Sequence, residues 1–399
     1  MIQESLQHLV TRLDTATNLI TVGSYWKIKI AALSCCLVLF FSFPEYSYFK
    51  AGENPWSSWV FLQDRIQAPF SKSTGKLGSN EGNKVYRLTP ILAARLYNSP
   101  HTLRNVAFLT LIEHLMGVVF FYLMAGIIFK ITNDKNTAAY FTVGLSFLFL
   151  GKDFFWDISS WLIPFGYFFM LLAMISRNPV VIFMALFLGF WSDERMVALS
   201  PLVLLWWRIN TENKDFWKIV VAYFANFTLF FVIRNQLTTN YIQSPISFRV
   251  YPKESGVDYF WALYDLLPEI PMGLLLPFEG YWIFIFIFIF LTIKSWKTPR
   301  FWWLMGGIAM LGGGFLVSFA VRDSTKGFSM LFPLLMITVK LLAETESPVF
   351  IKRLCMAAML VSFAIPTYFY NGAYNLMTPI YYTPLKNALW WGLNALVTN

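Results

Sequence analysis

What most constrains this chain is that apolar runs follow one another almost from end to end, while the charged residues gather in the short segments between them. A bilayer's hydrocarbon core is crossed by about 20 residues of helix, and backbone inside it has to satisfy its own hydrogen bonds. Such a chain is expected to fold as an all-α, polytopic helical membrane protein with no separate soluble domain. A barrel needs strict period-2 alternation, which the runs lack. Composition agrees, with 57% hydrophobic, 19% aromatic and only 13% charged residues, against roughly 25% charged in a soluble domain. The formal charge of +9 does not point to nucleic acid, because the Lys and Arg residues sit in short clusters between apolar runs, as the positive-inside rule places them. Cys35, Cys36 and Cys355 fall inside apolar runs, away from disulfide or metal chemistry.

In residues 1–26, Leu6, Leu9, Val10, Leu13 and Ile20 share one helical face, which predicts an amphipathic helix lying on the cytoplasmic surface. Lys27 and Lys29 precede a first span of about Ile30 to Phe43 and orient it outward. The polytopic part, 27–399, then holds a large first outer loop (44–104) and a second (236–270). Within the first, Trp56, Trp59, Val60 and Leu62 around Asp64 predict an interfacial helix, Ser71 to Asn83 reads as a flexible loop, and Arg87 to Tyr97 resumes helical spacing.

Two later runs are interrupted by charge, at Lys152-Asp153-Phe154-Phe155-Trp156-Asp157 and at Ser192-Asp193-Glu194-Arg195. Either each interruption is a turn between short helices, or a long helix carries buried charge. The turns are preferred, because they keep Arg177 with the other basic loops and avoid burying the ionisable residues. Alternation through the remaining runs gives about eleven spans, N-terminus inside and C-terminus outside. The acidic and mixed clusters then fall on the outer face, where the chemistry is expected.

Ser192-Asp193-Glu194 fits a helix N-terminus with Ser192 as N-cap, but capping leaves Arg195 unexplained; the other reading is a polar centre for a sugar or phosphate. Asp153 and Asp157 would share a helical face, suiting a general base or a shared divalent cation, or else would flank belt aromatics in an interfacial turn. Arg87, in Tyr86-Arg87-Leu88-Thr89-Pro90, offers a fork for phosphate or snorkels to lipid headgroups. Arg322-Asp323 either binds pyrophosphate or pairs internally. Asp64 fits an ordinary solvated face, and Glu113-His114 an interhelical hydrogen bond. Gly312-Gly313-Gly314 fits close helix packing.

The Tyr-Arg-x-x-Pro element at Tyr86, Arg87 and Pro90, the Ser-Asp-Glu-Arg turn, the long acidic first outer loop and the short helices joined by acidic turns together resemble the C-type membrane glycosyltransferases (GT-C fold). The resemblance implies transfer of a sugar from a polyprenyl-phosphate-linked donor to a glycan, lipid or protein acceptor, outside the bacterial inner membrane, with an acidic residue as base. Asp157, Asp193, Asp64 and Asp153, in that order, are the candidates for the base. Arg87, Glu194, Arg195, Arg322 and Asp323 are the candidates for substrate and phosphate binding. A divalent cation, Mg or Mn, is left open as cofactor. The expected partners are the lipid-linked donor, membrane lipid and a glycan or glycolipid acceptor, with no nucleic acid. The rival readings are an O-antigen-type polymerase and a lipid or oligosaccharide flippase or transporter; the second predicts midplane charges and an internal repeat.

Overall fold

The computed structural model describes residues 2–44, 46–49, 57–72, 84–156, 162–211, 213–242, 270–320, 324–365, 368–370 and 374–377. Among the described residues it is helical throughout, apart from two short antiparallel strands, β1 (Tyr368–Tyr370) and β2 (Tyr374–Leu376). The sequence-based candidates Asp157, Arg322 and Asp323 lie outside the described residues, as do Glu45, Glu53, most of the 236–270 loop and the end of the chain.

Helix α1 (Ile2–Thr21) precedes α2 (Trp26–Phe41), and the chain bends by 119° between them. Gly23 stands in that break at φ +87°, a conformation open to glycine but strained for L side chains. The bend directs α1 away from the axis of α2, the arrangement its amphipathic pattern predicts. The chain continues through α3 (Ser57–Gln67), α4 (Leu88–Tyr97) and the long α5 (Thr102–Thr132). Then come α6 (Lys135–Leu145) and α7 (Phe149–Trp156), bent by 59° from each other.

The centre of the chain is a series of short helices: α8 (Pro164–Ile175), α9 (Pro179–Phe190), α10 (Glu194–Leu199) and α11 (Pro201–Asn210). Proline opens α8, α9 and α11, where its missing N–H leaves no hydrogen bond unmade. Helix α12 (Asn213–Leu237) runs into a π-helical turn, Thr238–Ile242. The rest is α13 (Ile270–Phe278), a 3₁₀ turn at Glu279–Tyr281, α14 (Trp282–Lys294), α15 (Arg300–Ala320), α16 (Ser324–Ser329), α17 (Pro333–Thr345) and α18 (Pro348–Ala364).

Among the described residues, four helical stretches are long and apolar enough to cross a membrane, or up to six if each bent pair counts as one, with α8 and α9 as shorter apolar helices. The chain is therefore a helical membrane protein. Large apolar side chains such as Trp217, Phe224, Phe286, Phe290 and Trp302 face outward, as a lipid-facing surface requires. Inside, where lipid supplies no hydrophobic drive for helix association, close packing does the work. Gly117 of α5 is one such place: a Cβ there would lie 2.7 Å from the Phe155 ring and 2.8 Å from Phe154 Cβ of α7.

One end of the bundle gathers the basic loops. Asp14 of α1 meets Lys352 at 3.3 Å and Arg353 at 3.2 Å, both on α18, and accepts a 2.9 Å hydrogen bond from the Tyr140 hydroxyl of α6. Asn136 donates to Asn18 of α1. Arg300 pairs with Glu344, and Arg208 stacks over Trp303. Because α8 through α12 run back and forth, Asp193 and Arg234 fall at the other end.

Two expectations are corrected. Lys152 and Asp153 do not sit in an interfacial turn; both lie in helix α7 and are 3% and 0% exposed. Ser192 is not the N-cap of α10. Asp193 is, its carboxylate accepting from the Arg195 N–H, while the Ser192 hydroxyl donates back to the Leu188 carbonyl.

Candidate functional site

The turn at 191–193 breaks what hydropathy alone allowed to be one long helix. Its geometry depends on Gly189, over which Met196 folds back so closely that a Cβ would collide with the Met196 thioether. The first turn of α4 is stitched against this turn. The Thr89 N–H donates to the Trp191 carbonyl at 3.0 Å, and the Thr89 hydroxyl donates to the Leu188 carbonyl at 2.7 Å. These bonds bring Arg87, roughly a hundred residues earlier in the chain, onto the acidic pair.

Asp193 is fully buried. Arg195 grips it side-on, with Nε on Oδ1 and Nη2 on Oδ2, both at 2.9 Å, and Arg87 Nη2 approaches Oδ2 at 3.0 Å. Burial on its own opposes ionisation of Asp193, but the charges of Arg195 and Arg87, with hydrogen bonds from Arg195, outweigh it and hold the carboxyl well below the usual carboxylate range. For Arg87 burial likewise works against its charge, and Asp193 and Glu194 more than restore it, raising its pKa. Asp193 is thus an ionised anchor for two guanidinium groups. A carboxylate held this low is a poor proton acceptor.

Glu194 is the open carboxylate of the group. Its side chain keeps 31% of its exposure, and Arg87 reaches it only loosely, Nη2 to Oε1 at 3.3 Å and Nε to Oε2 at 3.4 Å. On its other side Arg234, near the end of α12, lies within electrostatic reach. The Arg234 guanidinium stands 4.2 Å over the Tyr86 ring, and the Tyr86 hydroxyl meets the Thr238 hydroxyl at 2.7 Å.

Of the sequence-based candidates, the structure brings together Arg87, Asp193, Glu194 and Arg195. Asp64 is exposed on α3; its neighbour Arg65 turns inward to the Ser71 and Pro69 carbonyls. Asp153 belongs to a second buried polar region. Beside it on α7, Lys152 lies within electrostatic reach of Glu279, which is buried at φ +44°, and Lys326 of α16 is buried as well. Helix α8 joins the two regions: a Cβ at Gly166 would lie 3.7 Å from that of Asp193, and the next residue, Tyr167, donates to the Lys326 carbonyl at 3.2 Å. His114 makes the interhelical link expected of it, to the Phe154 carbonyl at 2.9 Å and the Tyr46 hydroxyl at 2.6 Å.

Sequence reasoning did not assign Arg234, Tyr86, Thr238 or Glu279. The signals present were a lone arginine closing the apolar run of α12 and a lone acid between Phe278 and Gly280. For a metal ion the residues fit poorly. Both oxygens of Asp193 face guanidinium groups, and among the described residues no cluster of three His, Cys, Asp or Glu is suited to a metal. Comparison with family models, with curated proteins and with solved structures finds no match for this chain. The geometry therefore carries the functional argument.

Proposed function

We propose that this protein transfers a sugar from a polyprenyl-phosphate-linked donor to a glycan, lipid or protein acceptor at the outer face of a bacterial inner membrane. In this reading the N-terminus and basic loops face the cytoplasm, the chain crosses about eleven times with several short helices paired end to end, and the Arg87–Asp193–Glu194–Arg195 group faces outward. The observation that carries it is the division of labour between the two acids. Asp193 is locked as the anchor of two arginines, while Glu194 stays partly exposed beside them.

Breaking the bond between a sugar and a lipid phosphate leaves negative charge on the departing phosphate and needs the acceptor hydroxyl to lose its proton. Arginines held in place beforehand stabilise that charge without reorganising at the moment of reaction. A carboxylate within reach of the acceptor takes the proton. Glu194 is assigned as that base; Arg87 and Arg195, fixed by Asp193, provide the positive field. Asp193 becomes a positioning residue, and the base role is not given to Asp64, which is exposed on α3, or to Asp153, which is buried in α7.

The test is transfer from a polyprenyl-phosphate sugar in membranes carrying Glu194→Gln. Transfer should fall by at least about a hundredfold while the protein accumulates normally. Undiminished transfer removes Glu194 from the base role, and no transfer by the parent protein from any such donor removes the proposed reaction.

A further inference from the structure

Three arginines meet at the site, and they differ in what their donors do. Arg195 has its fork on Asp193, and Arg87 divides its fork between Asp193 and Glu194. Arg234 makes no hydrogen bond or ion pair from its guanidinium among the described residues; its contacts are with the faces of Tyr86 and Phe230, at 4.2 and 5.7 Å. It is nonetheless half-buried. A guanidinium stacked on an aromatic face is fixed in plane and rotamer while its N–H edge stays available to an oxyanion.

Two further observations point the same way. Tyr86 is held in register by its hydroxyl contact with Thr238, which begins a π-helical turn, a distortion frequent at functional sites. Arg234 also lies on the more open side of the group, within electrostatic reach of Glu194, whose side chain is 31% exposed. Half-burial strengthens the attraction an oxyanion would feel.

We propose that Arg234, laid on Tyr86 beside Glu194, is the docking point for a phosphate-class oxyanion. The inference rests on the transferase reading only for the source of that phosphate. A lipid-linked phosphate and a free phosphate share the chemistry.

The experiment is calorimetric titration of the full chain, reconstituted in nanodiscs of neutral phosphatidylcholine, with farnesyl phosphate, farnesol and inorganic phosphate. Farnesyl phosphate should bind and farnesol should not. Arg234→Gln should weaken the phosphate compound about tenfold to a hundredfold, the range of a charged hydrogen-bond pair. Arg234→Lys, which keeps charge but not the fork, should lie between. Arg208→Gln removes an arginine that is also aromatic-stacked, over Trp303 at the opposite end, and should change nothing. Inorganic phosphate binding as tightly as farnesyl phosphate, with the same dependence on Arg234, supports the site and assigns it a free anion.

Binding that ignores Arg234→Gln in a variant whose thermal unfolding matches the parent overturns the proposal, as does a parent protein that binds neither phosphate compound. Arg234-dependent binding in a protein that transfers no sugar would retain the anion site and discard the transferase. Sugar transfer untouched by Arg234→Gln would do the reverse.

Discussion

Two carboxylates in this protein are each clamped by a pair of cations, one at either end of the bundle, and their surroundings could hardly differ more. Asp14 meets Lys352 and Arg353 at 3.3 and 3.2 Å with its side chain 20% exposed. Asp193 meets Arg87 and Arg195 at 3.0 and 2.9 Å with its side chain 0% exposed. The first is a partly exposed latch tying helix α1 to the bundle, where water competes for every charge. The second is a sealed unit in which no member can be left uncompensated. Similar residues at similar distances therefore do different work, and burial makes the difference.

That contrast breaks most sharply at Asp193. Replacing it with Asn removes the buried charge that both guanidinium groups share, and should cost on the order of 3–5 kcal/mol, read as a large fall in the thermal unfolding temperature of the purified protein. A loss no greater than that of Asp14→Asn would mean that the site is wet. Next comes Arg87→Lys. An ammonium cannot span Asp193 and Glu194 together, so about 1.5–3 kcal/mol of stability should go, with Glu194 freed from its loose contact.

Acid sharpens the same comparison. Because the folded pKa of Asp193 is depressed, its contribution to stability is complete above the unfolded value of about 3.9 and is lost only as pH falls through the lower folded value. The difference in unfolding temperature between the parent and Asp193→Asn should thus stay constant from about pH 8 to pH 5 and shrink only under stronger acid. A difference that already narrows near pH 6 would contradict the ionised anchor. The smallest effect belongs to Asp14→Asn, within about 1 kcal/mol, and it should show instead as increased protease access to α1.

Much of the architecture was legible in the residues because membrane crossing is a matter of apolar length and charge placement, both one-dimensional. The amphipathic α1, the break at Ser192-Asp193, and the gathering of Lys135, Arg300, Lys352 and Arg353 at one end follow from that. Less could be read wherever a local signal has two physical outcomes. Lys152 and Asp153 resemble an interfacial turn in sequence, yet they continue a helix into the interior, where Glu279 lies within electrostatic reach of Lys152. Nothing local in the sequence announces a partner more than a hundred positions away.

The sequence by itself determined that this is a helical membrane protein and that Ser192 to Arg195 is its most anomalous stretch, since the cost of charge among apolar residues depends only on what stands next to what. Only the tertiary structure decided that Arg87 completes the Asp193 clamp, that Glu194 is left as the open acid, and that Arg234 arrives from α12 stacked on Tyr86. Those assignments rest on distances between the starts of α4 and α10 and the end of α12, and a carboxylate's role is set by the charges and water around it after folding.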